Sequence, residues 1–483
     1  MIQPPSSHSY TDALLWALPF GQFEWELTPP AVQDYITRQQ QHITQLQSQM
    51  GQFQSQIEQL QHQVETLQGR VDKTSQTSSK PPSSDAPFHK PKRQQKTSAG
   101  QRGGQPGHRG KGPILLRPTE VHLIAPGSWP CGQGNLVALT PSYTHQVIEL
   151  PPIEMEVHHF ILQQGQCQGC GRQLKAQVPS DSQAGYGPRF SALIAELAGM
   201  HRTSWRLIQD FWHSVCNIPI SLGAVHKIIQ RVSQAIAPHH AAIATLAHQA
   251  PVGYIDETPW YCQNALQWLW IMATDKVAYY RIDPHRSTDA FLALIEDWQG
   301  ILVSDGYGVY QDWVHQRQTC LAHLIRRARG LSQRRDPDLA ACGTTALKEL
   351  QRLCHMAHEP PSGGQWQAWY ARFCRLLDRY QQRSDEAGRL VRRLARERAS
   401  LWVFLRAHGV APTNNLAERG LRFGVMWRTT SHGTDSDAGN RWVERTLSLC
   451  HTCRQLGQST FGVLVDAVTS LFQGRHPNLA WLY

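Results

Sequence analysis

The chain has 483 residues and carries 47 Lys and Arg against 37 Asp and Glu, a net charge of +10 with a sequence pI near 9.1. That length exceeds one ordinary core and suggests about three units at roughly 150 residues each, while the basic balance favours an anionic polymer such as nucleic acid as partner. No apolar run approaches the roughly 20 residues of a membrane-spanning helix, and the first 20 residues lack the basic region of a secretory leader. A cytoplasmic protein is therefore expected, whose eleven cysteines are free thiols or metal ligands rather than disulfides.

After an N-terminal segment (1–30), apolar residues recur every seventh position at Ile36, Ile43, Met50, Ile57, Val64 and Val71, with Leu46, Phe53, Leu60 and Leu67 as partners. This a/d seam predicts a coiled coil over 31–72 and a homodimer. Residues 73–113 hold Lys80, Lys90, Lys92, Arg93, Lys96, Arg102, Arg109 and Lys111 against Asp85 alone, in a Ser/Pro/Gly/Gln-rich background. Such a segment buries too little apolar surface to fold. It reads as a flexible basic linker that either follows a phosphate backbone or is a solvated tether.

Residues 114–182 carry short β-like runs (VHLIAP, HQVIEL, HHFILQQ) around Cys131 and the pair Cys167 and Cys170. A C-x-x-C turn followed by Gly is half of a tetrahedral zinc site, so a zinc-finger-like module is predicted. A second C-x-x-C ending at Cys131 would start at Ser128, a poor ligand. Either a histidine such as His122 completes the site, or the β-fold persists without zinc. Residues 183–248 read as helices. A break at Asn217–Pro219 and an N-cap at Ser221 fit a helix-turn-helix DNA reader or an ordinary helical bundle.

From Val252 the pattern becomes three strands (VGYID, LQWLWIMAT, VAYYRI), a helix from about Ser287, and a fourth strand, GILVSD. This is the opening order of an RNase H-like fold, with the first and fourth strands side by side. Asp256 and Asp305 end those strands, and Glu418 opens a helix capped by Thr413 or Asn414. Three carboxylates brought together this way suit Mg²⁺ or Mn²⁺. Arg419 and Arg422 flank Glu418, and Arg326, Arg327, Arg329, Arg334 and Arg335 form a second basic cluster; Arg326, Arg327, Arg419 and Arg422 are candidate DNA contacts. Glu257 would point to the opposite face from Asp256. Cys320 and His323 offer metal ligands or core packing, with His323 a candidate support for the acids.

YIDET, SDGY, CLAHLIRRAR, NNLAERGLR and SHGT, together with GGQPGHRGKG before a cysteine module, resemble transposases of the insertion-sequence 66 family, within the DDE transposases. The resemblance implies Asp256, Asp305 and Glu418 as the metal-binding triad and the stretch from about His323 to Pro412 as a helical insertion in the catalytic sheet. It further implies binding to terminal inverted repeats, 3′-end cleavage and strand transfer into target DNA. The chain departs from the family at Ser128, which bears on zinc, and at Thr429 and His432, which bear on a DNA-contacting loop. The expected architecture is multidomain α/β: a coiled coil, a zinc-finger-like module, a helical module, an RNase H-like catalytic domain (249–435) interrupted at 324–412, and a C-terminal helical segment (436–483). Two rival readings use the same residues: a catalytically silent DNA-binding regulator and a structure-specific nuclease.

Overall fold

The computed structural model describes residues 25–71, 114–125 and 140–483. The chain divides into two compact units at Asp85. In the first, α1 (Pro30–Val71) is one continuous helix of 42 residues, about 63 Å long at 1.5 Å per residue. Its many Gln side chains are good helix formers. Its seam residues Ile43, Leu46, Met50, Phe53, Ile57, Leu60 and Val64 are 46–67% exposed, so the apolar stripe is uncovered within one chain.

The second unit begins with little regular structure. The runs VHLIA, HQVIEL and HHFIL form no strands, contrary to the expected β module. A strand needs a neighbour to bond its backbone and cover one face; among the described residues these runs have none, and Leu123, Ile124 and Ile161 are exposed. What forms is one short hairpin, β1 (Gln164–Gln166) against β2 (Gln173–Lys175), closed by Cys167 N donating to Arg172 O and Gly171 N to Cys167 O.

Four helices follow: α2 (Pro188–Gly199), α3 (Trp205–Cys216), α4 (Leu222–Ala235) and α5 (Ala237–Gln249). Ser204 and Ser221 cap α3 and α4 by accepting from Leu207 N and Ala224 N. Asn217, at φ +50°, ends α3 in the left-handed conformation that Asn tolerates. Ile208, Trp212, Val225, Ile228 and Val232 share one core with the sheet described next.

The five-stranded sheet contains β3 (Val252–Cys262), β4 (Ala265–Ala273), β5 (Ala278–Asp283), β6 (Ile301–Ser304) and β7 (Arg317–Thr319), in the order β5-β4-β3-β6-β7. β4 runs antiparallel to both of its neighbours, β3 and β5, whereas β6 pairs in parallel with β3 and β7 with β6. Gln263 and Asn264, at φ +51° and +63°, turn β3 into β4, the backbone signature of a two-residue type I′ hairpin. α6 (Thr288–Ile295) covers one face.

Between β7 and the last helices lies the insertion: α7 (Leu321–Ser332), α8 (Pro337–His355), α9 (Gly363–Tyr380) and α10 (Glu386–Arg396). It has its own core, including Leu324, Leu350, Trp369, Phe373 and Leu394. The stretch LVRRLARERASLWVFLRAH, despite its helical spacing, is not one helix: α10 ends at Arg396 and two 3₁₀ turns follow. Trp402 there turns inward to meet Trp366 and Trp369 edge-on, at 5.4 and 5.8 Å between ring centres. Leu321 N donates to Pro412 O at 2.9 Å, closing the two ends of the insertion on each other.

α11 (Asn415–Ser431), α12 (Asp437–Gln455) and α13 (Thr460–Phe472) complete the fold. β5 is an edge strand whose outward N–H groups need partners. α12 supplies them from one face: Glu444 accepts from Ile282 N (2.6 Å), Ser448 from Tyr280 N (3.0 Å) and Thr452 from Ala278 N (3.2 Å). Among the described residues, no helix is long and apolar enough to cross a membrane.

Candidate active site

The β3–β6 register runs Val252↔Ile301, Gly253↔Leu302, Tyr254↔Val303. Continued two residues past that pairing, the register brings Asp256, in mid-strand of β3 rather than at its end as expected, level with Asp305, which follows β6. β6 ends at Ser304, so beyond that point β3 is open on this side. Parallel strands present ligand sites at their carboxyl ends in this way. Asp305 Oδ1 accepts from Tyr307 N at 2.7 Å, and Asp256 Oδ1 from Glu257 N at 3.0 Å.

Glu418 lies in the first turn of α11, where the helix dipole favours a carboxylate. The helix is pinned to β3 at both ends. At its start Asn414, fully buried, donates from Nδ2 to Ile255 O at 2.8 Å, next to Asp256. Asn414 occupies the N-cap position, as expected, but its side chain makes no capping bond. At the far end Arg428 donates to Pro259 O, and Thr434 N to Tyr261 O. Between them Gly420 and Gly424 let the helix lie close on β4. A Cβ at Gly420 would come 2.4 Å from Ile271 Cδ1, and one at Gly424 2.3 Å from Leu269 Cδ2.

The three acids share one electrostatic site. Burial, then the neighbouring carboxylates Glu257, Asp305 and Glu418, push the Asp256 carboxyl well above the usual carboxylate range. Glu418 is flanked by His323 Nδ1 at 3.6 Å and Arg326 at 3.3 Å. Cys320 Sγ, a His323 ring nitrogen and a Glu418 oxygen lie within 4.8 Å of one another. Burial pushes the Cys320 thiol up to about 12, and its sulfur accepts from Asn414 N at 3.2 Å, so this cysteine serves packing and capping. Burial also lowers the His323 pKa, against the pull of Glu418.

Glu257 faces the other side of the sheet, as strand alternation requires. It accepts from Arg286 Nε at 2.8 Å and from the Tyr310 hydroxyl, and Arg286 stacks over Tyr307 at 3.9 Å. The insertion also reaches the site. Arg393 of α10 is buried, donates to Glu397 at 2.8 Å, and lies so close to Gly306 that a Cβ there would meet its Nη2 at 1.7 Å. Arg317 lies 3.8 Å from Glu397 and donates to Asp305 O at 3.5 Å.

Of the predicted DNA contacts, Arg326 pairs with Glu418, while Arg327 is exposed on α7. Arg419 and Arg422 stand with Asn415, Met426 and Thr429 on one exposed stripe of α11. Lys92, Arg93, Arg102, Arg109, Lys111 and Cys131 lie outside the described residues. Cys167 and Cys170 are exposed free thiols, and hydrogen bonds from the backbone and thiol of Cys170 and the backbone of Gly169 lower the Cys167 pKa. His122 lies beside Glu120 instead, at 3.5 Å, and among the described residues no third His, Cys, Asp or Glu joins the two thiols. Sequence reading gave Asn414 only as a cap and missed its anchor to Ile255 O, along with Arg393 and the Gly420/Gly424 pair. The G-x-x-x-G spacing within ERGLRFG was the available signal for a close helix approach.

Residues 184–441 match the family described as Transposase IS66 family, and residues 27–113 match a family of unknown function, DUF6444. No curated protein matches the chain.

Proposed function

Because the chain belongs to the IS66 transposase family, we propose that it binds the terminal inverted repeats of a mobile element, cleaves their 3′ ends and joins them to target DNA. In this reading the sheet and α11 form an RNase H-like DDE domain with Asp256, Asp305 and Glu418 as its metal ligands. The supporting observation is the Asp256 carboxyl, held well above the carboxylate range by burial and then by the neighbouring carboxylates Glu257, Asp305 and Glu418. Such crowding is relieved by a divalent cation, and the all-oxygen donor set fits Mg²⁺ or Mn²⁺.

When bound, the metal supplies activation of the attacking oxygen and stabilisation of the leaving oxygen. The protein's own residues set the geometry for that chemistry. Asp256 and Asp305 are fixed by the β3–β6 register and Glu418 by the Asn414 anchor. His323 and Arg326 orient the Glu418 carboxylate from the insertion side. Arg419 and Arg422 present guanidiniums to phosphates along the exposed stripe of α11.

The other modules fit the same task. The uncovered seam of α1 is a surface for a second copy of the chain, and a homodimer holds two DNA ends together. The basic segment before residue 114 adds phosphate contacts, and Cys167 and Cys170 offer half of a structural zinc site.

The test is purified protein with labelled terminal repeats, target DNA and Mg²⁺ or Mn²⁺. Wild type is expected to cleave and join, and Asp305→Asn to do neither. Equal inactivity of both would support a silent DNA-binding regulator, and cleavage without joining a nuclease.

A further inference from the structure

At the opposite end of β6 from Asp305, a cleft of 690 Å³ runs between the sheet, at Gln299–Ile301 and Val314–Arg317, and the insertion, at Ala399–Ala407. It shares Ala399, Trp402 and Arg406 with a second cleft of 330 Å³ lined by Trp366, Tyr370 and Arg398. Together they make one groove, and each part is of a size that accepts an organic ligand, about 300–1,000 Å³.

The groove has one sign of charge. No Asp or Glu lines either part. Arg398 and Arg406 are exposed and make no ion pair among the described residues. The wider setting agrees: residues 324–412 hold 17 Lys and Arg against 8 Asp and Glu, nearly all of the net +10 of the chain. The groove also has aromatic faces. Trp366 and Tyr370 are partly exposed and stacked, with ring centres 6.1 Å apart, and the Arg398 guanidinium sits 5.8 Å over the Tyr370 ring.

We propose that this groove binds an unpaired DNA strand, with bases stacking on Trp366 and Tyr370 and phosphates held by Arg398 and Arg406. Aromatic faces interleaved with cations bind single strands because every base has a π-face, whereas the bases of a duplex are stacked on one another. The groove opens at the other end of β6 from the three acids and shares Arg317, which donates to the Asp305 carbonyl, with their surroundings. The inference rests on the reading of the chain as a DNA-processing enzyme and adds which form of DNA this surface takes.

The test uses the full chain and a fluorescein-labelled oligothymidylate of about 12 nucleotides, within the roughly 4–16-nucleotide site sizes of such grooves. A duplex of equal length serves as the second probe. Wild type is expected to bind the single strand with quenching of tryptophan fluorescence. Arg398→Ala/Arg406→Ala should weaken that binding at least tenfold while changing duplex binding less than twofold. Tyr370→Ala should weaken it similarly and Tyr370→Phe restore it, which a purely structural role for the hydroxyl would not produce. The proposal is overturned if the arginine variant binds the single strand as wild type does, if both probes weaken equally, or if wild type binds duplex but no single strand. Failure of wild type to bind either probe would instead sink the DNA-processing reading itself.

Discussion

Replacing Gly420 by alanine tests whether the close seat of α11 on the sheet is what delivers Glu418 to the aspartates. The added Cβ would lie 2.4 Å from Ile271 Cδ1, 2.9 Å from His451 Cε1 and 3.0 Å from Tyr280 Oη, where carbon atoms prefer about 3.5–4.0 Å. Ile271 is fully buried in β4, and Tyr280 and His451 are hydrogen-bonded to each other at 2.8 Å. Ile271 Cδ1 ends a side chain but is hemmed in by the core, and Tyr280 and His451 hold each other, so the helix is expected to rise by on the order of 1 Å, carrying Glu418 with it. A displacement of that size can cost roughly 100-fold in rate. The stability change should be smaller: overpacking costs about 1–3 kcal/mol, and the gain in helix propensity from Gly to Ala offsets about 1 kcal/mol of it. The assay pairs the rate of 3′-end cleavage with urea unfolding. Gly462→Ala in α13 is the control, because its Cβ would meet nothing nearer than 3.6 Å. A folded Gly420→Ala protein cleaving within about threefold of wild type would refute the reasoning.

Glu444 offers a pH-dependent test. Burial pushes its pKa from 4.5 up to about 7, so the folded state holds a proton that the unfolded state releases. That stabilisation is complete below pH 4.5 and is lost as pH rises through 7. At roughly 1.4 kcal/mol per unit, Glu444→Gln should gain about 3 kcal/mol on wild type between pH 4.5 and pH 8, measured as the difference between their unfolding free energies; a constant difference would count against it. Asn414→Ala leaves Ile255 O without its buried donor and should cost about 1–3 kcal/mol, with cleavage reduced further because Glu418 loses its anchor; calorimetry and the cleavage assay report the two effects separately. For α1, Ile57→Glu/Leu60→Glu should halve the mass seen by light scattering, and an unchanged mass would remove the seam as the dimer contact.

The strand order was legible from the apolar runs, and Asp305 follows β6 and Glu418 opens a helix as expected; Asp256 instead lies in mid-strand, because β3 runs on past VGYID to Cys262 in its pairing with β4. The β-like runs between residues 121 and 162 misled, since alternation reports a strand only where another strand exists to cover it. The break after Arg396 was hidden for a related reason. Leu401 and Val403 continue a helical spacing, but burying Trp402 against Trp366 and Trp369 gains more than one further helical turn. The ladder of Glu444, Ser448 and Thr452 was invisible for a different reason. Polar residues spaced by four read as a solvated helix face, and only the distant edge of β5 gives them their use.

That ladder also orders events in time. The β5 amides and the α12 side chains that accept from them are 162 to 174 residues apart in the chain, which at about 5–20 residues per second of synthesis is roughly 10–30 s. Throughout that interval the outward amides of β5 lack these acceptors and leave an open edge. Completion of α12 is therefore what converts the sheet from a surface that can recruit another chain into one that is closed to it.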